Sequence, residues 1–196
     1  GKLLIVKGRV LPSSISTKMR LAARTTSGTY LAGESAVGHA GESIETIWVE
    51  PPDCQPNPAV LEAIADADLI VMGPGSLYTS ILPSFLISGV SDAVNATKVP
   101  KVLVCNIATQ AGETDDLGAA DHLAIFERHS KVQVTHFLMN SQVRAVEESP
   151  EPHAIEPEAI ANGAVRILMR DVGGGELSTH HDPEKLSRTV MDVLSQ

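Results

Sequence analysis

The sequence predicts an α/β fold with a mostly parallel sheet covered by helices on both faces and an extra β-rich segment near the N-terminus. From residue 57 onward, short continuously apolar runs alternate with helical patterns, as they do where parallel strands are buried on both sides. Before residue 57 the apolar runs are less regular, which favours antiparallel strands or a flap. A chain of 196 residues can bury one core, and we expect a single α/β domain over residues 1–196.

Strands dominate the predicted N-terminal segment. They are Leu3–Val10, Leu21–Thr25, Tyr30–Ala32 and Ile44–Val49. A turn at Ser27-Gly28 separates the second strand from the third, and Pro51-Pro52 breaks the pattern after the fourth. Asn57-Pro58 then suits the start of a helix, because proline is tolerated in the first helical turn.

The rest of the chain is predicted to alternate helices with strands. Helices are expected over residues 59–67, 80–86, 90–97 and 116–129, and strands over 69–72, 101–106, 135–139 and 165–170. The helix over 116–129 carries an apolar face of Leu117, Leu123 and Phe126. Asp182-Pro183 opens a closing amphipathic helix, which we expect to present one apolar side made of Leu186, Val190, Val193 and Leu194.

Charge and composition exclude several classes of partner. The chain has 24 acidic and 15 basic side chains and a net charge of −9, which disfavours non-specific binding to nucleic acid or to an anionic membrane. No apolar stretch is long enough for a membrane span, and the first residues have too short an apolar part for a secretory signal. Cys54 and Cys105 form no disulfide framework. We therefore expect a cytoplasmic protein, and its assembly into a homo-oligomer stays open.

The most informative stretch follows the predicted strand over 69–72. That strand ends in Gly73-Pro74-Gly75, and hydroxyl side chains follow at Ser76, Thr79 and Ser80. Glycine permits positive φ or close approach of a ligand, and a hydroxyl can cap the next helix so that its first amides face an anion. Turns in this position hold anionic ligands in many α/β proteins. The alternative is that the hydroxyls only cap a helix.

Two further predicted strands end in polar side chains. The strand over 101–106 leads into a second loop, and the strand over 135–139 leads into Asn140. The second loop offers Asn106, Thr109, Gln110, Glu113 and Thr114. Carboxyl ends of parallel strands meet at one edge of a sheet, so these loops are expected to form a cleft with the first turn. Their amide and hydroxyl groups suit a sugar or the edge of a base, although Thr114 alone suits a helix N-cap.

The other titratable groups do not predict a catalytic centre. His122 and His129 share one predicted helix, where surface or packing roles are favoured over ligand contact. His180-His181 lacks a third spaced ligand, so a polar helix start explains it better than a metal site. Cys105 has no recognisable base partner. The catalytic residues are left unassigned, and no metal ligands are predicted.

Residues 73–83, which read Gly-Pro-Gly-Ser-Leu-Tyr-Thr-Ser-Ile-Leu-Pro, resemble the signature of the gluconeogenesis factor (YvcK-like) branch of the CofD-like superfamily. Residues 105–114 and Asp121-His122 are similar to its second signature. Shorter matches are Val10-Leu11-Pro12-Ser13, Gly33-Glu34-Ser35, Asn140, and Arg170-Asp171 with a later His-Asp. The resemblance covers nearly the whole chain, in the order that the family shows.

The resemblance implies a Rossmann-like three-layer sandwich with a site at the carboxyl edge of the sheet. Its sister branch is 2-phospho-L-lactate transferase, which moves a phospholactyl group from a nucleotide diphosphate carrier to a deazaflavin. That branch has Gly-Pro-Ser-Asn-Pro at the first turn, and the departure here favours the regulatory branch. The first expectation is therefore a nucleotide-sugar (UDP-sugar) binding regulator linked to carbon metabolism and cell-wall morphogenesis. The second is a transferase acting on a nucleotide diphosphate donor.

The resemblance also implies which residues bind the ligand. Members of the family begin with a Gly-Gly-Gly-Thr-Gly loop and later paired aspartates that this chain does not contain, so it is similar to their C-terminal two-thirds, and catalysis by it alone is not expected. Mg²⁺ accompanying a bound nucleotide diphosphate is the one cofactor implied. The expected ligand-binding residues are Gly73, Pro74, Gly75, Ser76, Thr79, Ser80, Asn106, Thr109, Gln110, Glu113, Thr114 and Asn140.

Overall fold

A computed structural model describes residues 8–142, 153–160, 163–175 and 179–195. The expected strand Leu3–Val10 lies largely outside the described residues, and residues 8–10 are not in a strand. The elements that follow are those of the described residues. They form two sheets, one antiparallel and one parallel.

The segment before residue 57 forms the antiparallel sheet, as its irregular apolar runs predicted. Its strands are β1 (Arg20–Thr25), β2 (Tyr30–Ala32) and β3 (Ile44–Glu50), in the order β2-β1-β3. A short helix, α1 (Glu34–Val37), follows β2. Leu21, Ala23 and Ile47 turn inward and join the main hydrophobic core, so this sheet is part of the same folded unit.

The rest of the strands form the parallel sheet that the apolar runs predicted. They are β4 (Ile70–Met72), β5 (Lys101–Val104), β6 (His136–Asn140) and β7 (Arg166–Arg170), in the order β4-β5-β6-β7. All three neighbouring pairs are parallel. The carboxyl ends of β4, β5 and β6 therefore lie side by side at one edge of the sheet.

Helices lie before, between and after these strands, and two of the α-helices begin at a residue whose side chain caps them. They are α2 (Pro58–Ala65), a π-helical turn (Leu77–Ile81), α3 (Leu82–Phe85), α4 (Val90–Ala96), α5 (Ala119–Ser130) and α6 (Pro183–Asp192). Asn57 caps α2 by accepting a hydrogen bond of 3.1 Å from the Ala59 amide. Asp182 caps α6 by accepting from the Glu184 and Lys185 amides, both at 2.9 Å. In both helices proline occupies the first turn, where no amide hydrogen is needed.

Alternation along the strands divides the sheet into two buried faces. Leu103 and Phe137 belong to the larger core, which also contains residues of α4, α5 and the antiparallel sheet. Val104 and Leu138 belong to the smaller core, which α6 covers with Val190. The result is the Rossmann-like three-layer α/β arrangement that the resemblance implied.

Two sequence expectations were wrong in detail. The helix expected from Asp116 begins at Ala119, because Asp121 accepts a 3.0 Å hydrogen bond from the Gly118 amide and so caps a later start. Leu194 was expected on the buried side of the closing helix but is 43% exposed. The α-helix ends at Asp192 and continues as a 3₁₀ turn, which rotates Leu194 outward while Val193 stays buried.

Within the described part of the chain, no single helix is long and apolar enough to cross a membrane. One bent pair, Leu77–Phe85 with Val90–Ala96, reaches the required length and composition only when its two helices are taken together, and the angle between them is 74°.

The edge-to-face contact between Phe126 and Phe85 gives a test of the larger core. Phe126 is fully buried, and the two ring centroids lie 5.3 Å apart at an interplanar angle of 84°. Replacing Phe126 with alanine is expected to lower the free energy of unfolding by about 3–5 kcal/mol, through lost burial and a residual cavity. Urea denaturation measures this loss. Val10→Ala, at a position 86% exposed, is the control and should change stability by less than about 0.5 kcal/mol. Similar losses for both would contradict the described core.

Candidate functional site

The turn after β4 needs glycine at its first position. Gly73 has φ of +83°, and a Cβ built there would lie 2.9 Å from Ile81 Cδ1 and 3.2 Å from the Val104 carbonyl oxygen. Gly75 differs, because its φ is not positive and a Cβ there would make only an ordinary 3.5 Å contact with Ser80 Cβ. Gly73 therefore has both features that were expected of the glycines, a positive φ and a close approach by other atoms. The atoms that approach it belong to Ile81 and Val104 of the same chain.

The hydroxyl groups of the turn bind a carboxylate of the same chain. Ser76 Oγ donates to Glu113, with its two carboxylate oxygens at 2.6 and 2.7 Å, and the Tyr78 amide donates to Oε1 at 2.7 Å. Ser76 Oγ also accepts from the Thr79 amide at 3.1 Å and is hydrogen-bonded to the Thr79 hydroxyl. Ser76 is thus the cap of the π-helical turn, and the anion that faces its first amides is Glu113.

The loop after β5 is joined to the same turn by side-chain amides. Asn106 Oδ1 accepts from the Gly75 amide at 3.3 Å, and Asn106 Nδ2 donates to Gln110 Oε1 at 3.4 Å. Together with Glu113, these contacts hold the β4 and β5 loops against each other. The two strand ends therefore form one continuous surface, as the cleft prediction required.

Three of the expected ligand-binding side chains are buried and hydrogen-bonded within the chain. Thr109 Oγ1 accepts from the His153 amide at 2.9 Å, and Thr114 Oγ1 accepts from the Gln110 amide at 2.8 Å. Asn140 donates to the Gln142 carbonyl at 2.6 Å and accepts from the Val172 amide at 3.1 Å. All three are buried. Thr114 caps no helix, since α5 begins beyond it.

A cavity of about 520 Å³ opens at this edge of the sheet. Pro74, Gly75 and Ser76 line it together with residues 106–110 of the β5 loop. A third group of lining residues comes from the start of α6: Thr179, His180, His181, Pro183 and Leu186. Sequence reasoning assigned this last segment to helix-start polarity and did not place it at the cleft, because nothing local to it indicates which sheet edge it reaches.

A second cavity of about 620 Å³ shares Ser76, Thr109 and Gln110 with the first. Glu34, Ser35 and His39 of the α1 region line its other side, and Glu113 also borders it. Ser80, in contrast, is exposed and lines a separate surface depression beside Pro74. The expected site residues thus divide between the shared cleft, its supporting interior and this outer surface.

Comparison with known proteins shows the family to which this chain belongs. Residues 1–172 match the family model described as 2-phospho-L-lactate transferase CofD. The chain belongs to the CofD family. It is 42% identical to the gluconeogenesis factor of Listeria monocytogenes over 197 aligned positions, which cover 97% of this chain and 61% of that protein. It is 43% identical to the gluconeogenesis factor of Halalkalibacterium halodurans, with 98% and 62% covered. The family inferred from the sequence signatures is confirmed.

Solved structures in this family share the fold. A crystal structure of a Bacillus halodurans protein superimposes with a TM-score of 0.86 at 31% identity, over 95% of this chain and 62% of that one. The CofD-family chain described here thus spans about three-fifths of the length of these relatives.

Burial disfavours the charged forms of several titratable groups in this CofD-family chain. It raises the pKa of the Cys105 thiol to about 12 and that of the Tyr78 phenol to about 12. It also lowers the pKa of His122, whose Nδ1 lies 2.8 Å from the Gly118 carbonyl oxygen. Cys105 is therefore a protonated thiol at neutral pH and not an activated nucleophile. His122 is 3% exposed inside α5, which agrees with the packing role that was favoured for it.

The close approach at Gly73 can be tested against a glycine that shares only its backbone conformation. Gly73→Ala is expected to lower the free energy of unfolding by about 2–5 kcal/mol, since positive φ and overpacking both contribute. Gly28 is the matched control, because its φ is +89° and an added Cβ meets nothing within 4 Å. Gly28→Ala should cost only about 1–2 kcal/mol. Chemical denaturation compares the two, and equal losses would contradict the contacts at Gly73.

The Glu113 carboxylate provides a second test. Glu113→Ala leaves the Ser76 hydroxyl and Tyr78 amide without their charged acceptor, and we expect a stability loss of about 2 kcal/mol or more. Glu113→Gln keeps an acceptor and should lose about 1 kcal/mol. Glu45→Ala, at an exposed position of β3, is the control for loss of a surface carboxylate. Thermal or urea unfolding of the three variants measures the order, and wild-type stability for Glu113→Ala would rule out the described contacts.

Proposed function

We propose that this chain binds a nucleotide diphosphate, in the first instance a UDP-sugar, in the cleft between the β4 and β5 loops. The observation that carries the proposal is the cavity of about 520 Å³ at the carboxyl edge of the parallel sheet, lined by Pro74–Ser76 and residues 106–110. Such edges are where open α/β sheets bind ligands. We further propose that binding serves regulation in the cytoplasm, linked to carbon metabolism and to cell-wall morphogenesis. The relatives named gluconeogenesis factor support the link to carbon metabolism.

The position of Glu113 determines which groups of the turn are available to phosphate. Because Ser76 Oγ and the Tyr78 amide already hold that carboxylate, and the Gly75 amide donates to Asn106, we place the phosphates beside Pro74-Gly75 with the side-chain N–H groups of Asn106 and Gln110 as their donors. Asn106 and Gln110 also offer groups that suit a sugar or base edge. In the proposal, Thr109, Thr114 and Asn140 support the cleft walls, since their polar atoms are hydrogen-bonded within the chain.

The proposal includes Mg²⁺ carried with the diphosphate. Among the described residues there is no grouping of three or more histidine, cysteine, aspartate or glutamate side chains that could hold a metal ion. Mg²⁺ commonly keeps several waters and binds through one carboxylate together with substrate phosphates. Glu113, which lines the adjoining cavity of about 620 Å³ and accepts a hydrogen bond from Ser76, fits that pattern as the single protein ligand. Mg²⁺ there would offset repulsion between the carboxylate and the diphosphate.

A second candidate function is a transferase reaction of the 2-phospho-L-lactate transferase type. The family model that matches residues 1–172 carries that description and favours it. The same cleft would then hold the nucleotide diphosphate donor. Incubation with a phospholactyl nucleotide donor and a deazaflavin acceptor, followed by chromatography, tests this function. Formation of the phospholactyl deazaflavin would favour an enzyme over a binding protein.

Isothermal titration with UDP-N-acetylglucosamine and with GDP, each with and without Mg²⁺, tests the binding proposal. Asn106→Asp is the informative variant, because it keeps an acceptor for the Gly75 amide and adds a negative charge beside the proposed phosphates. We expect wild type to bind one of the two nucleotides more tightly with Mg²⁺ and Asn106→Asp to weaken that affinity at least tenfold, about 1.4 kcal/mol.

Asn57→Asp is the control for the added charge, since Asn57 caps α2 outside the cleft lining and aspartate caps a helix equally well. It should bind as wild type does. Absence of nucleotide binding by wild type would overturn the proposed function. Equal affinity of wild type and Asn106→Asp would overturn the placement of the phosphates.

A further inference from the structure

His181 lines the cleft and has one ring nitrogen without a partner. Its Nε2 is buried and, among the residues that the structure describes, no group lies within hydrogen-bond reach of it. The Cys105 backbone lies beside the imidazole and favours the protonated ring. A backbone group that favours the protonated ring is an acceptor, so it is the Cys105 carbonyl. Because Nε2 has no partner, the ring nitrogen that faces this carbonyl is Nδ1.

The Cys105 carbonyl favours one tautomer of the neutral ring, with the proton on Nδ1. With the proton on Nδ1, Nε2 carries a lone pair and can only accept a hydrogen bond. Burial, together with the neighbouring His180, lowers the pKa of His181, so the neutral ring prevails at neutral pH. A buried acceptor without a donor is unfavourable, and the site gains free energy from any ligand that provides one.

The backbone contact also fixes where this acceptor lies. Cys105 immediately precedes Asn106, which is joined to the first turn through the Gly75 amide. His181 therefore sits at the end of β5, on the part of the cavity wall that residues 179–186 provide. Phosphate oxygens are acceptors at neutral pH, so a lone pair at this position does not suit them. It suits an uncharged part of a ligand that carries an O–H or N–H group.

We propose that His181 Nε2 accepts a hydrogen bond from a hydroxyl or N–H group of the nucleoside part of the bound nucleotide, and so selects the nucleotide over free diphosphate. The inference rests on the proposed function and adds a specificity-determining residue to it. Cys105, through its carbonyl, acts as the positioning group that keeps the lone pair on Nε2.

Three variants of the 196-residue chain and three probes test the proposal. The variants are His181→Ala, His181→Gln and, as the control, His136→Ala at the opposite, amino end of β6. The probes are UDP-N-acetylglucosamine, UDP and inorganic pyrophosphate. We expect His181→Ala to weaken both nucleotides about fivefold to tenfold, as loss of one neutral hydrogen bond does, and to leave pyrophosphate unchanged. His181→Gln, which places an amide oxygen near the Nε2 position, should restore affinity to within about twofold of wild type.

Histidine ¹⁵N NMR gives a readout that a purely structural role would not move. We expect the unprotonated Nε2 resonance of His181 to shift on addition of UDP and to stay in place with pyrophosphate, while Nδ1 remains protonated. This measurement needs only the wild-type chain, with His181→Gln to assign the resonance. It therefore tests the role of His181 Nε2 even if His181→Ala fails to fold.

The outcomes separate this proposal from the proposed function. If wild type binds neither nucleotide, both are overturned. If wild type binds and His181→Ala binds equally well, or loses pyrophosphate affinity as strongly as UDP affinity, only the role of His181 is overturned. A proton on Nε2 in the nucleotide-free protein would likewise overturn it.

Discussion

The Glu113 carboxylate links the two loops on which the cleft depends. It lies in the β5 loop, yet it accepts hydrogen bonds from Ser76 and Tyr78 of the β4 turn at 2.6–2.7 Å. A charged acceptor facing the first amides of a helical turn satisfies groups that would otherwise be unpaired, and its negative charge suits that end of the helix dipole. The cleft is therefore shaped by an anion that the protein itself supplies. Its charge disfavours a second anion at the same amides unless a cation accompanies that anion.

The two faces of the parallel sheet contribute differently to this edge. The larger core packs β4–β6 against the helices on one face, and it leaves no room for a side chain at Gly73 between Ile81 and Val104. The smaller core holds α6 on the other face through Val190. Because α6 starts at the carboxyl edge, packing of that helix also delivers His181 to the cleft. The wall of the cleft that contains His181 is thus placed by the packing of α6 on the second face of the sheet.

Several features could be predicted because they depend on short-range chemistry. The apolar runs of β4 to β7, the proline-containing first turns of α2 and α6, and the glycine requirement at residue 73 follow from backbone geometry and burial. The start of α5 was misplaced because Thr114 and Asp121 are both capping residues by type. The structure uses Thr114 for the loop and Asp121 for the helix. Side-chain preferences identify possible caps, but the path of the chain decides among them.

The sequence by itself determined the α/β class, the order of strands and helices, the family and the loops that border the cleft. These follow from local periodicity and from motifs within about ten residues of one another. Only the tertiary structure decided that Glu113 occupies the turn, that Thr114 and Asn140 face inward, and that His181 joins the site. The physical reason is that each of these depends on pairing between groups distant in sequence, which sheet order and helix packing bring together. The groups at residues 73–80 were identified from the chain alone, but their partners were not.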